Sequence, residues 1–109
     1  MKKFCLTLDL VDDSELIVEY ENYHQNVWPE IKQSILDSGI VNMEIYRVQN
    51  RLFMIVEADE NFTFEAKNEA DKNNPKVQEW ENLMWKFQQQ LPNSKPGEKW
   101  QLMNKIFSL

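Results

Sequence analysis

Apolar and polar residues alternate at the start of the chain. The apolar positions repeat with a period of two, at Phe4, Leu6, Leu8 and Leu10. This period predicts a strand with one buried face. The stretch Val41–Tyr46 alternates in the same way, whereas Leu52–Val56 is continuously apolar. We therefore expect an edge strand and a central strand, joined by a hairpin turn at Gln49-Asn50.

Helical spacing replaces this alternation between the first and second strands. The acidic segment 12–15 is rich in residues that cap helix N-termini and suit the positive end of the helix dipole. Apolar residues then follow three or four positions apart up to Val27. Pro29 predicts a break near Val27-Trp28 and the start of a second helix, which Gly39 is suited to end.

A second helical region follows the hairpin. Residues 61–73 predict a helix of modest strength. The clearest periodicity comes next, in steps of three and four, at Val77, Trp80, Met84, Phe87 and Leu91. It predicts an amphipathic helix that enters through Asn74-Pro75 and stops at Pro92. A polar loop at 93–99 precedes a predicted last strand, Trp100–Leu109.

The element order is thus β-α-β-β-α-β, in one domain over residues 1–109. This order is that of the α+β, ferredoxin-like split βαβ fold, with a four-stranded antiparallel sheet and helices on one face. The other face would expose Cys5, Thr7 and their neighbours. Covering it with the sheet of a second copy predicts a homodimer joined sheet to sheet, a dimeric α/β barrel.

Charge and composition exclude several classes of function. The chain has 12 Lys and Arg against 18 Asp and Glu, a net charge of −6. This balance argues against binding to nucleic acid or to an anionic membrane surface. There is no apolar run of about 20 residues and no Gly-rich phosphate motif.

The cysteine and histidine counts exclude further sites. One Cys and one His can form neither an intrachain disulfide nor a structural zinc site by themselves. Acidic residues follow the basic start at once and interrupt any signal-peptide core. These features predict a cytoplasmic protein without a metal.

His24 is the only histidine, so it alone can supply an imidazole for proton transfer at neutral pH. Tyr20 lies four residues earlier, on the same predicted helical face, and Trp28 follows at the next step of four. An aromatic ring beside an acid/base group is common in sugar sites, where it packs on the apolar C–H face. On pattern alone, the more common arrangement is a core Tyr20 and Trp28 with a partly exposed His24.

Other candidates are weaker on pattern alone. Trp80 belongs to the apolar stripe of the long helix, which favours a core position over a ligand platform. Glu81, the residue after Trp80 on the same predicted helix, could face solvent. Among 18 acidic residues, the presence of two carboxylates is no signal of a glycosidase pair.

The segment Glu19–Ile31, with Tyr20, His24 and Trp28-Pro29-Glu30 in register, resembles the L-rhamnose mutarotase family. The resemblance covers nearly the whole chain. It includes two strand segments, part of the late helix and the C-terminal stretch: Gly39–Tyr46, Leu52–Glu57, Val77–Met84, Trp100-Gln101-Leu102 and Ile106-Phe107.

This resemblance implies a small ferredoxin-like dimer that interconverts the α and β anomers of a free 6-deoxy sugar without metal or coenzyme. His24 corresponds to the family's proton donor, and Tyr20 and Trp80 to its sugar-binding residues. Met43 stands where the family often has a sugar-contacting Tyr, and Glu81 where it often has a second Trp. These departures leave open whether the sugar is L-rhamnose, L-fucose or another deoxy sugar.

Two rival functions fit the same fold. A small monooxygenase acting on an aromatic or haem-like substrate would consume oxygen and leave sugars unchanged. A non-catalytic binding module would bind a ligand without accelerating anomer exchange. The residues alone do not separate these from a mutarotase.

Overall fold

The computed structural model describes residues 1–109 and has nine elements. In chain order they are β1 (Lys2–Leu10), α1 (Ser14–Gln25), α2 (Pro29–Asp37), β2 (Ile40–Val48), β3 (Arg51–Ala58), α3 (Phe64–Lys72), α4 (Pro75–Trp85), β4 (Gln88–Gln89) and β5 (Gln101–Leu102). The predicted order is confirmed, and both helical regions are split in two as expected.

The helix boundaries follow from capping chemistry. The Asp13 carboxylate accepts hydrogen bonds from the backbone N–H groups of Glu15 and Leu16, at 3.0 and 3.1 Å. Pro29 and Pro75 occupy the first turns of α2 and α4, where their missing N–H costs nothing. α3 begins later than expected, because Thr63 caps it.

Gly39 ends the α2 region in a left-handed conformation, with φ of +100°. A Cβ at this position would lie 2.9 Å from a carboxylate oxygen of Asp59. Both the backbone angle and the close approach favour glycine here.

The sheet is antiparallel, with strand order β2-β3-β1-β4, and β5 also pairs with β1. β3 is central and β2 lies at an edge, as predicted. The turn between them passes through Gln49, whose φ is +51°.

The predicted helix from Val77 to Leu91 is wrong in its second half. α4 ends at Trp85, and Gln88–Gln89 pair with the end of β1 instead. The reason lies in the backbone of β1, whose edge would otherwise be left unpaired. Val11 N–H, for example, donates to the Phe87 carbonyl at 2.8 Å.

The predicted last strand, Trp100–Leu109, is also too long. Only Gln101–Leu102 pair, opposite Leu6 and Thr7, and residues 103–109 have no regular structure. β4 and β5 each pair with a different part of the same β1 edge. The sheet therefore has five strands, because two short strands share the place of the expected fourth.

The core lies on one face of the sheet. Alternate strand residues such as Leu6, Leu10, Leu52 and Val56 are buried against the helices in two clusters. We call the other face the open face; its side chains include Cys5, Thr7, Tyr46, Val48, Phe53 and Ile55, which are half-buried or exposed. None of the helices is long and apolar enough to span a membrane.

Candidate active site

His24 lies in the last turn of α1, and one of its ring nitrogens is held by the backbone. Nδ1 is 2.9 Å from the carbonyl oxygen of Tyr20. A carbonyl can only accept, so in the neutral ring Nδ1 carries the hydrogen. The other nitrogen, Nε2, then carries a free lone pair and is available to a ligand.

Aromatic rings surround this imidazole. The Tyr20 ring centroid lies 4.3 Å from it, and the Trp80 centroid 5.7 Å away. Trp28 packs edge-on against Trp80, with centroids 5.1 Å apart. Tyr20 and Trp80 are only 3% and 8% exposed. They are therefore core residues that also pack against His24, and their contact with a sugar stays a prediction.

Burial sets the protonation states of His24 and Tyr20. Desolvation lowers the pKa of His24 below its ordinary value, and the hydrogen bond to the Tyr20 carbonyl offsets this only in part. Burial raises the pKa of the Tyr20 phenol to about 12, against a smaller opposing effect of the Gln88 side chain. At neutral pH the site thus presents a neutral imidazole and a neutral phenol.

A cavity of about 460 Å³ opens beside His24. Five apolar side chains and two basic ones line it, from the end of α1, from α2 and from β2: His24, Val27, Lys32, Ile35, Leu36, Met43 and Ile45. Its volume is in the range of small-molecule sites and suits a monosaccharide. The apolar wall suits C–H and methyl groups, and His24 and Lys32 can bind hydroxyl groups.

The structure brings most of the predicted residues together. Met43 lines the cavity with His24. Tyr20 and Trp80 pack against the imidazole and Trp28 packs against Trp80, and none of the three lines the cavity. Glu81 does not join them. It is half-buried on α4, outside the cavity lining, and its backbone carbonyl accepts a hydrogen bond from Lys99 at 3.4 Å.

Sequence reasoning missed Lys32 and the apolar wall of the cavity. Lys32, Ile35 and Leu36 lie three and four positions apart on α2, a spacing that marks a shared helical face. That signal was present, but it did not indicate that the edge strand β2 would form the opposite wall.

A second hollow, of about 500 Å³, lies between α2 and the start of α4. Polar and charged side chains line it, among them Glu30, Asp37 and Lys76, and neither His24 nor an aromatic ring takes part. It has no imidazole, so the cavity beside His24 is the candidate active site.

Comparison with known proteins gives a consistent result. The family model described as L-rhamnose mutarotase matches residues 3–109. An L-fucose mutarotase from Xanthomonas campestris pv. campestris is 44% identical over 111 residues, covering 100% of this chain and 89% of that protein.

Solved structures support the fold. The L-rhamnose mutarotase of Formosa agariphila superposes with a TM-score of 0.73 at 21% identity, covering 100% of this chain and 99% of that one. A dimeric ferredoxin-like protein from an uncultured marine organism superposes with a TM-score of 0.52 at 19% identity, over 78% and 76% of the two chains. The family match over almost the entire length, together with the close curated relative, places this chain in the L-rhamnose mutarotase family, as a sugar mutarotase.

Proposed function

We propose that this mutarotase interconverts the α and β anomers of a free 6-deoxy hexose, such as L-rhamnose or L-fucose, with His24 as general acid and base. One observation carries the proposal. The only imidazole in the chain lies on the wall of a monosaccharide-sized cavity with Nδ1 hydrogen-bonded to the backbone. Its second nitrogen is thereby left for the sugar.

Ring opening requires two proton movements. Neutral His24 Nε2 removes the proton from the anomeric hydroxyl as the bond between C1 and the ring oxygen breaks, which leaves an aldehyde. The imidazolium then returns that proton to the ring oxygen, so no net proton is gained or lost. Rotation about C1–C2 and closure by the reverse steps give the other anomer.

The second proton-transfer group is open to three candidates. A water molecule, the Tyr20 phenol or a residue of a partner subunit could relay the proton between the two oxygens. The reaction needs neither an electron sink nor a Lewis acid, which agrees with the expectation of a mutarotase without a cofactor. The expected cytoplasmic location also stays a prediction.

The surroundings of His24 support a 6-deoxy sugar. The apolar side chains of Val27, Ile35 and Met43 line the cavity and can take up the methyl group at C6. The family resemblance is the basis for assigning Tyr20, Trp80 and Trp28 to sugar binding, since these rings pack behind the cavity wall and a sugar would reach them only past His24. The relative from Xanthomonas, named an L-fucose mutarotase, makes L-fucose the first sugar to test.

We further propose that the enzyme is a homodimer joined through the open face. Tyr46 and Val48 are 52% and 69% exposed there, next to half-buried Phe53 and Ile55. Outside the sheet, Ile106 and Phe107 of the C-terminal stretch are also exposed, at 96% and 76%. So much exposed apolar surface is typical of an interface, and a second copy of the sheet offers a matching surface. The dimeric ferredoxin-like neighbour supports this arrangement.

Saturation-transfer NMR on L-fucose and L-rhamnose tests the proposed function directly. Wild-type protein should accelerate exchange between the two anomeric proton signals. His24→Ala should lower the rate by roughly 10²- to 10⁴-fold, the usual contribution of one acid/base group.

The matched control is Gln25→Ala, at the exposed neighbouring position, which should keep wild-type exchange. Far-UV circular dichroism should show that both variants are folded. Wild-type exchange in folded His24→Ala would remove His24 from the mechanism.

A further inference from the structure

Lys32 is the only polar side chain besides His24 on the wall of the candidate active site. The other five residues that line the cavity are apolar. No carboxylate, amide or hydroxyl side chain takes part in the lining. A sugar in this cavity therefore meets two polar side chains, an imidazole and an ammonium group.

The Lys32 ammonium has no partner in the protein. It forms no ion pair, although the chain carries 18 acidic residues. No acidic residue lies three or four positions away on α2, where a helical ion pair would form. The two acidic residues of α2, Glu30 and Asp37, line the other hollow instead. The ammonium group, at the end of a flexible four-carbon stem, is thus available to a ligand.

The place of Lys32 in α2 gives no stabilising reason for a lysine. It is the fourth residue of a helix that begins at Pro29. The helix dipole places partial positive charge at this end, where a cation is disfavoured. Residues that break such a local rule are expected at functional sites, so the position points to a role in the cavity.

Ring opening of a sugar needs a hydrogen-bond donor as well as a base. The anomeric hydroxyl and the ring oxygen are both bonded to C1, so a sugar whose anomeric hydroxyl reaches His24 also brings its ring oxygen into this cavity. When the bond between C1 and the ring oxygen breaks, its electron pair gives the ring oxygen negative charge. An ammonium group suits this atom, because it has three donors and no acceptor.

We propose that Lys32 is a second catalytic residue, whose ammonium group donates a hydrogen bond to the ring oxygen and stabilises the negative charge that forms there. This inference rests on the proposed function. His24 takes the proton of the anomeric hydroxyl, and the electron pair of that O–H bond forms the C1=O bond. The pair of the broken C1–oxygen bond moves to the ring oxygen. The imidazolium then returns its proton to the ring oxygen, while Lys32 keeps its own protons.

Lys32→Met removes the charge and keeps a long side chain. The charge on the ring oxygen develops only as the bond breaks, so this variant should lose kcat and keep KM nearly unchanged. One enclosed donor to such an oxygen contributes about 10²- to 10³-fold in kcat. Lys32 is exposed, so water screens part of its charge, and we expect kcat for L-fucose to fall roughly 10- to 100-fold.

Two further variants test whether the ammonium itself matters. Lys32→Arg keeps a positive charge and its donors, and should retain more of the wild-type kcat than Lys32→Met. Lys72→Met is the matched control, because it removes the same charge from an exposed position of α3, outside the cavity lining. It should keep the wild-type kcat and KM. A lower kcat in Lys32→Arg than in Lys32→Met would count against the proposal.

The melting temperature distinguishes catalysis from structure. The Lys32 side chain makes no hydrogen bond or ion pair, so Lys32→Met should melt no lower than wild type. A lower melting temperature that accompanies the loss of kcat would assign that loss to structure. If Lys32→Met does not fold, Lys32→Ala takes its place and should show the same fall in kcat.

Saturation-transfer NMR at several concentrations of L-fucose gives kcat and KM for each variant. A rise in KM at unchanged kcat would place Lys32 on an unreacting hydroxyl and overturn the proposal, as would wild-type kinetics in folded Lys32→Met. Failure of the proposed function is distinguishable, because wild-type protein would then not accelerate anomer exchange. Normal exchange in Lys32→Met beside its loss in His24→Ala would refute the role of Lys32 alone.

Discussion

His24 shows how the surroundings of a single residue select its chemical form. Burial favours the neutral ring, and the Tyr20 carbonyl at 2.9 Å selects the tautomer with hydrogen on Nδ1. A free imidazole would be shared between two tautomers and two charge states near pH 6.5. In this site the neutral ring has Nε2 as its basic nitrogen, which suits the proposed removal of the anomeric hydroxyl proton.

The pH dependence of exchange should report this lowered pKa. If neutral His24 is the form that begins the reaction, kcat/KM should be constant around pH 7 to 8. As the pH is lowered further, protonation of His24 removes the base and kcat/KM should fall. The midpoint of this fall should lie below the ordinary histidine value of about 6.5. Because the pKa of Tyr20 is raised to about 12, its ionisation should cause no loss up to about pH 10.

Exchange rates corrected for the uncatalysed reaction would provide this profile. A midpoint above pH 6.5 would contradict the assignment of neutral His24 as the base.

Met43 should contribute to the preference for a 6-deoxy sugar. Met43→Ala removes part of the apolar cavity wall, so KM for L-fucose should rise about three- to tenfold through lost apolar contact. L-galactose, which differs from L-fucose by a hydroxyl at C6, should be affected less. Val41→Ala, on the same strand but outside the cavity and 55% exposed, is the control. Equal losses for both sugars would show that Met43 does not contact C6.

At the level of elements, short breaks position the site. α1 ends at Gln25 and α2 begins at Pro29, so the chain turns just after His24. This turn brings α2 and its side chains Lys32, Ile35 and Leu36 alongside the imidazole. A continuous helix through this region would carry those side chains away from β2 and leave no cavity.

The N-cap of α1 should contribute to stability. Asp13→Ala removes an acceptor for two backbone N–H groups and should cost about 1 kcal/mol of the free energy of unfolding, measured by urea denaturation. Asp12→Ala, at the adjacent exposed position, makes no such bond and should change stability little. Equal losses in the two variants would assign the effect to charge instead of capping.

At the level of the whole molecule, helices cover one sheet face and leave the other without an equivalent layer. The open face carries alternate residues of three strands, and the Asp9–Arg51 ion pair, at 2.7 Å, lies at its end. The monomer thus has a complete core on one side and, on the other, a partly apolar surface that also carries Glu44 and Glu57. The proposed dimer would bury that surface.

A charge placed on the open face should separate the proposed dimer. Tyr46→Lys puts like charges on both copies and should convert the dimer to monomer, measured by light scattering coupled to size-exclusion chromatography. Val18→Lys, on α1 at an equally exposed apolar position, should leave the dimer intact. A wild-type protein that runs as a monomer would refute the proposed assembly.

The sequence by itself determined the long elements and the only imidazole available for the proposed acid/base role. Period-two strands, proline breaks and caps depend on neighbouring residues, and a lone histidine leaves no choice of imidazole. Tertiary structure decided the short strands β4 and β5, because they form only where the edge of β1 offers unpaired backbone groups. Tertiary structure also decided which ring nitrogen of His24 is free and that Lys32 and Met43 line the same cavity. These contacts join distant parts of the chain, and no local pattern encodes them.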